Sequence, residues 1–152
     1  MANVLGSMLT IDETLVTFKG RCPFKQYIPS KPGGYGLKFW ILSDSNSRYV
    51  YNMETYIGKK SNAGREVNLG EKILLDLLEG IDAAGRSVTC DNFFTSLSLA
   101  RKLLEKNFSL VGTIRKNIPE LPLEMVSTKE RKPFTIMFGF QQECMIVSYC
   151  PK

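Results

Sequence analysis

Histidine is absent from the 152-residue chain. Its absence excludes Ser-His-Asp and Cys-His triads and His-ligated metal sites, so acid–base or metal chemistry falls to carboxylates. Cysteine is sparse: Cys22, Cys90, Cys144 and Cys150 form no CxxC pair, which signals neither a zinc site nor a disulfide framework. No apolar run approaches the roughly 18 residues of a membrane span, so no membrane partner is expected. Met1 to Ser7 has neither a charged n-region nor an apolar h-region, so no secretory leader is expected, and unpaired thiols fit the cytosol or nucleus. A hydrophobic share of 43% is too high for a disordered tail, and the length suits one domain with a real core.

Acidic residues are missing from one stretch in particular. Between Phe18 and Lys38 stand Lys19, Arg21, Lys25, Lys31 and Lys38 with no Asp or Glu, matching the net charge of +5 of the whole chain. From Ile118 to Lys152 acids and bases balance. A local basic strip fits a polyanion such as nucleic acid, or simply a solvated basic loop.

Periodicity lays out the elements. Leu9 to Phe18 is rich in Thr, Val and Ile and reads as a strand. Lys19 to Gly36, punctuated by Pro23, Pro29, Pro32, Gly33 and Gly34, reads as an irregular connector. Leu37–Ser43 and Arg48–Ile57 form strands around an Asp44-Ser45-Asn46-Ser47 turn, completing a three-strand antiparallel meander. Leu69, Ile73, Leu74, Leu77, Leu78 and Ile81 then share one helical face, with Gly80 near the end. Arg86–Asp91 is a short strand. Thr95 or Ser96 caps a second helix with Leu97, Ala100, Leu103, Leu104 and Phe108 facing inward, and Ser109–Ile114 returns as a strand. Strand–helix–strand at this spacing is a parallel, right-handed βαβ unit. Beyond Asn117, prolines break a charged stretch before a hairpin of Phe134–Phe138 and Met145–Tyr149 that turns through Phe140 to Glu143.

Two carboxylates sit oddly for structure alone. Asp12 interrupts the first strand, and Asp91 ends the strand before the capped helix. A carboxylate at the C-terminal end of a strand, near a helix start, is where such sheets place ligands; the plainer alternative is a solvated strand face and a turn. Converging, the pair would suit Mg²⁺, a hard cation that takes oxygen ligands. Glu13 is no second ligand by default, because successive strand side chains point to opposite faces. Cys90 reads as a small core residue, Trp40 as sheet packing, and Phe93 and Phe94 as base-stacking or core residues.

The blocks Thr10-Ile11-Asp12-Glu13, Phe18-Lys19-Gly20-Arg21-Cys22-Pro23-Phe24 and Tyr27-Ile28-Pro29-Ser30-Lys31-Pro32 resemble the catalytic domain of piggyBac-type transposases and the host proteins derived from them. The match continues through Tyr35-Gly36-Leu37-Lys38, Val88-Thr89-Cys90-Asp91-Asn92-Phe93-Phe94-Thr95-Ser96, Leu110-Val111-Gly112-Thr113-Ile114-Arg115 and Val147-Ser148-Tyr149. The resemblance implies an α/β, RNase H-like mixed sheet, with residues 1–8 an N-terminal extension, 9–117 part of the catalytic core and 118–152 the start of a β-rich insertion lobe. It implies Asp12 and Asp91 as two of three catalytic, metal-binding aspartates that cut and join DNA at transposon ends and a TTAA target in the nucleus. It further implies phosphate contacts from Lys19, Arg21, Lys25, Lys31, Arg115 and Lys116.

The third aspartate, expected in a Gly-Gly-x-Asp context, is not among these residues, so the core is expected to be truncated. Mg²⁺ or Mn²⁺ is then expected to bind weakly, if at all, and the chain to be inactive alone, partnered by DNA and by a second copy or a full-length transposase. A non-catalytic DNA-binding derivative and a poorly folded relic are the alternatives.

Overall fold

Ten residues rich in Thr, Leu, Ile and Val make the first strand, β1 (Met8–Thr17). The computed structural model describes residues 6–58 and 68–152; residues 1–5, most of the segment read for a leader, lie outside the described residues. β1 pairs antiparallel with β3 (Tyr35–Asp44), which pairs with β4 (Val50–Thr55), giving the expected meander. Asp44 builds the turn between β3 and β4. Its buried carboxylate accepts hydrogen bonds from the N–H groups of Ser47 (2.6 Å), Gly6 (2.9 Å) and Asn46 (3.0 Å) and from Ser47 Oγ (2.9 Å). The Ser47 N–H above all holds it below the usual carboxylate range.

The connector is not wholly irregular. Gln26–Tyr27 forms a two-residue strand, β2, antiparallel to β3 through Gln26↔Gly36 and Tyr27↔Tyr35. Its prolines forbid a longer ladder, but the side-by-side Tyr27 and Tyr35 rings, 4.5 Å apart, hold the short one.

The first helix, α1 (Leu69–Leu77), is followed by Gly80 in the left-handed region at φ 76°. After it, β5 (Ser87–Cys90), α2 (Leu97–Glu105) and β6 (Ser109–Gly112) form the parallel βαβ unit. Of the two expected caps it is Ser96 that serves, its Oγ accepting from the Leu99 N–H at 3.0 Å. β5 also runs parallel to β1, in the register Leu9↔Val88 and Ile11↔Cys90. The strand order is therefore β2-β3-β1-β5-β6, with β4 also on β3. This is the mixed α/β, RNase H-like sheet that the resemblance implies.

The alternation sorts the sheet into two unlike faces. Leu9 and Ile11 of β1, Trp40 and Leu42 of β3, and Val88 and Cys90 of β5 share one face and join Leu74 and Leu77 of α1 and Leu99 and Leu103 of α2 in a single core. Both helices thus cover the same face. The opposite face carries Thr10, Asp12 and Thr14 of β1, with Met8 and Val16 exposed.

The described chain separates into two compact units, one ending at Thr113 and one from Ile114 to Lys152. The second contains a four-residue helix, α3 (Leu123–Val126), that periodicity is too short to reveal, and the hairpin β7 (Ile136–Gln141) and β8 (Cys144–Tyr149). The turn is tighter than expected. Phe140 and Gln141 extend β7, and Gln142 at φ 44° helps to reverse the chain. Phe134, at φ 63°, stands outside the strand. Among the described residues no helix is long and apolar enough to cross a membrane.

Candidate functional site

The parallel ladder between β1 and β5 ends at Ile11↔Cys90. The next residue on each chain is an aspartate. Residues opposite one another in a parallel pair share a face and lie on adjacent strands about 4.8 Å apart, and Asp12 and Asp91 each follow directly on the last paired residue of their strand. Both are exposed, and Asp12 lies on the side of the sheet away from the helices.

Local hydrogen bonds aim the two carboxylates. Asp12 Oδ1 accepts from the Glu13 N–H at 2.7 Å, and Asp91 Oδ1 accepts from the Phe93 N–H at 2.9 Å. The Asp91 carbonyl is held in turn by Thr95, whose Oγ1 donates at 2.7 Å and whose N–H donates at 3.1 Å. Gly112 of β6 is required beside this turn. A Cβ there would stand 2.2 Å from Thr95 Oγ1 and 2.9 Å from the Cys90 carbonyl.

The donor set fits a hard divalent cation. Two exposed carboxylates without a neighbouring imidazole or thiolate suit Mg²⁺ or Mn²⁺ better than zinc. Cys90 is buried on the opposite face, and that burial pushes its thiol up, away from metal-binding form. Among the described residues no group of three His, Cys, Asp or Glu side chains is placed to hold a metal ion.

Glu13 takes no part in the pair, as alternation requires. It faces the helix side, where Lys38 Nζ lies 2.5 Å and Lys31 Nζ 3.7 Å from its carboxylate. Burial alone would raise its pKa, but the hydrogen bond and charge of Lys38, joined by Lys31, outweigh it and hold Glu13 below its ordinary value.

These contacts divide the basic strip. Lys31 is engaged by Glu13 through both its carboxylate and its carbonyl, the latter at 3.3 Å. Lys25 donates to the Gly20 carbonyl at 3.2 Å and lies over the Tyr35 ring. Lys19 and Arg21 stand exposed. Arg115 and Lys116 are exposed in the second unit.

Lys38 is a residue whose role sequence reading missed. It counts toward the basic strip, yet its side chain is only 16% exposed and its Nζ lies 5.2, 5.5 and 5.8 Å from the rings of Trp40, Phe93 and Tyr56. No local signal marks this cage, because its rings come from three separate segments. Phe94 is a core residue, and Phe93 packs half-buried beside it.

Comparison with known proteins bears on the family and the fold. Residues 2–152 match the family described as transposase IS4. The chain is 33% identical over 133 residues to human PiggyBac transposable element-derived protein 3, covering 82% of this chain and 22% of that protein. A human chimeric ERCC6-PGBD3 protein is likewise 33% identical over 133 residues, with 12% of its length covered. A cryo-EM structure of a piggyBac transposase synaptic complex with hairpin DNA superposes with a TM-score of 0.88 at 41% identity, over 98% of this chain and 31% of that one. The chain thus spans a minor part of each of these relatives.

Proposed function

The chain belongs to the piggyBac-type transposases of the transposase IS4 family, and on that premise we propose that Asp12 and Asp91 are two catalytic carboxylates of a metal-dependent DNA-cleaving and strand-transferring site. The single observation that supports this reading is the parallel β1–β5 register, which ends at Ile11↔Cys90, one residue before each of two exposed aspartates from distant parts of the chain. Bound Mg²⁺ or Mn²⁺ would supply Lewis-acid activation of the attacking oxygen and of the scissile phosphate. Asp12 and Asp91 would hold such an ion through the carboxylate oxygens that the Glu13 and Phe93 N–H groups leave available.

The substrate is DNA at transposon ends, with joining to a TTAA target. The structural relative captured with hairpin DNA supports the substrate class. Lys19 and Arg21 would grip the phosphate backbone, with Lys25 and Lys31 partly committed to protein contacts; Arg115 and Lys116, in the second unit, would make phosphate contacts of their own. Two carboxylates hold one hard cation weakly, and a two-ion site needs a further donor. The 152-residue chain by itself is therefore proposed to bind metal without efficient cleavage, and to work in the nucleus with a second copy or a full-length transposase.

The test is Mn²⁺ titration of the 152-residue chain, followed by paramagnetic broadening of its Asp side-chain resonances, beside Asp12→Ala and Asp91→Ala. Selective broadening at Asp12 and Asp91, lost in either variant, is the expected result. Equal Mn²⁺ binding by the wild type and both variants overturns the reading.

The exposed Lys19 and Arg21 support a second reading, a non-catalytic DNA-binding derivative. Its mark is DNA affinity that falls steeply with salt and is indifferent to divalent ions and to Asp12→Ala.

A further inference from the structure

We propose that Glu13 is a positioning residue for the Asp12–Asp91 site, acting from the opposite face of the sheet; the inference rests on the metal-site reading above. Its basis is the fate of one peptide group where β5 leaves β1. The parallel ladder stops at Ile11↔Cys90, so main-chain groups further along β1 lose their partner strand on that side. Buried or half-buried backbone groups in that position need replacements. Glu13 has two: its N–H donates to Asp12 Oδ1 at 2.7 Å, and its carbonyl accepts from Lys31 Nζ at 3.3 Å.

The orientation of the Asp12 carboxylate is thus set by the Glu13 main chain, and that main chain is clamped through the Glu13 side chain. Glu13 Oε2 lies 2.5 Å from Lys38 Nζ and Oε1 lies 3.7 Å from Lys31 Nζ. Lys38 cannot swing freely, because Trp40, Phe93 and Tyr56 surround its ammonium with ring faces. Phe93 belongs to the same turn whose N–H holds Asp91 Oδ1. The cage therefore touches both halves of the site: Lys38 reaches Asp12 through Glu13, and it packs on the residue that orients Asp91. A bare surface ion pair would contribute little. This one is half-buried, shared between two lysines and tied to the peptide that aims a metal-binding oxygen.

The consequence is a preorganised pair of carboxylates. Outer groups that orient metal ligands are worth about 10- to 100-fold in affinity, so Glu13→Gln, which keeps the shape and removes the charge, is expected to weaken Mn²⁺ binding by about tenfold. Lys31→Met, a milder change at the rim, is expected to weaken it by about threefold, a small fraction of that range. The measurement is a Mn²⁺ titration of the 152-residue chain followed at the Asp12 and Asp91 resonances, with thermal unfolding of each variant recorded in parallel.

Weaker Mn²⁺ binding in both variants, with the folded spectrum retained, is the expected result. If both lower the melting temperature and leave Mn²⁺ affinity at the wild-type value, Glu13 is a structural clamp only and the inference is overturned. If Glu13→Gln does not fold, Lys31→Met decides by the same affinity readout. Failure of the underlying metal site shows differently: the wild type itself then leaves Asp12 and Asp91 unbroadened.

Discussion

The two units of this chain use the same kind of strand to opposite effect. In the sheet unit, the helix-facing apolar positions of β1 and β5 lie under two helices: Leu9, Ile11 and Val88 are 0% exposed. In the hairpin unit, Ile136, Phe138 and Phe140 face Tyr149, Val147 and Met145 across the ladder on one side, and all six are exposed, Phe140 by 76%. Among the described residues of that unit, Cys150 is the one buried apolar side chain. Alternation makes a strand in both cases, but only a covering layer converts it into hydrophobic stabilisation. The hairpin is held instead by polar contacts. Arg131 donates to the Ser148 carbonyl and Oγ, each at 2.8 Å, and to the Thr135 carbonyl at 3.0 Å, while Ser148 Oγ donates to the Met125 carbonyl at 2.6 Å.

The contrast predicts where each unit breaks. The largest effect is expected from Leu74→Ala, which opens a cavity in the sheet core and should cost about 3 kcal/mol. Urea unfolding followed by Trp40, the one tryptophan and a core residue, reads it directly. A loss below about 1 kcal/mol would mean the core can collapse around the gap.

Next comes Arg131→Ala, which strips the charge-assisted bonds from the hairpin. It should cost about 2 kcal/mol locally, seen as faster amide exchange along β7 and β8 while the Trp40-detected transition stays put. Movement of both would show that the two units unfold together.

The smallest effect is acid sensitivity confined to the sheet unit. Glu13 and Asp44 are both held below their ordinary values. For a lowered carboxylate, the added stability is complete above the unfolded pKa and disappears as pH falls through the folded one. The Trp40-detected stability should therefore decline below about pH 4.5, and Asp44→Asn should flatten the decline. An unchanged pH profile in that variant would remove Asp44 from the account.

Much of the sheet unit was readable along the chain. The meander, the βαβ unit and the Ser96 cap follow from local periodicity and turn chemistry, and the resemblance singles out Asp12 and Asp91. What escaped reading was non-local. β2 consists of two residues in a proline-rich stretch and exists because β3 offers it an edge. Lys31 and Lys38 read as free positive charge because no acid lies between Phe18 and Lys38, yet both pair with the single carboxylate of Glu13 on β1.

By itself, the sequence determined the longer strands and the two longer helices, because alternation, helical spacing and capping act between residues a few positions apart. It also determined, by lacking histidine, that no imidazole of this chain serves as a metal ligand. Only the tertiary structure decided that β1 lies parallel to β5 and not beside β6, that both helices choose one face, and that Glu13 is clamped by Lys31 and Lys38 while Asp12 stays open. The reason is physical: strand pairing and burial are contacts between distant segments, and their register emerges only when the shared core closes.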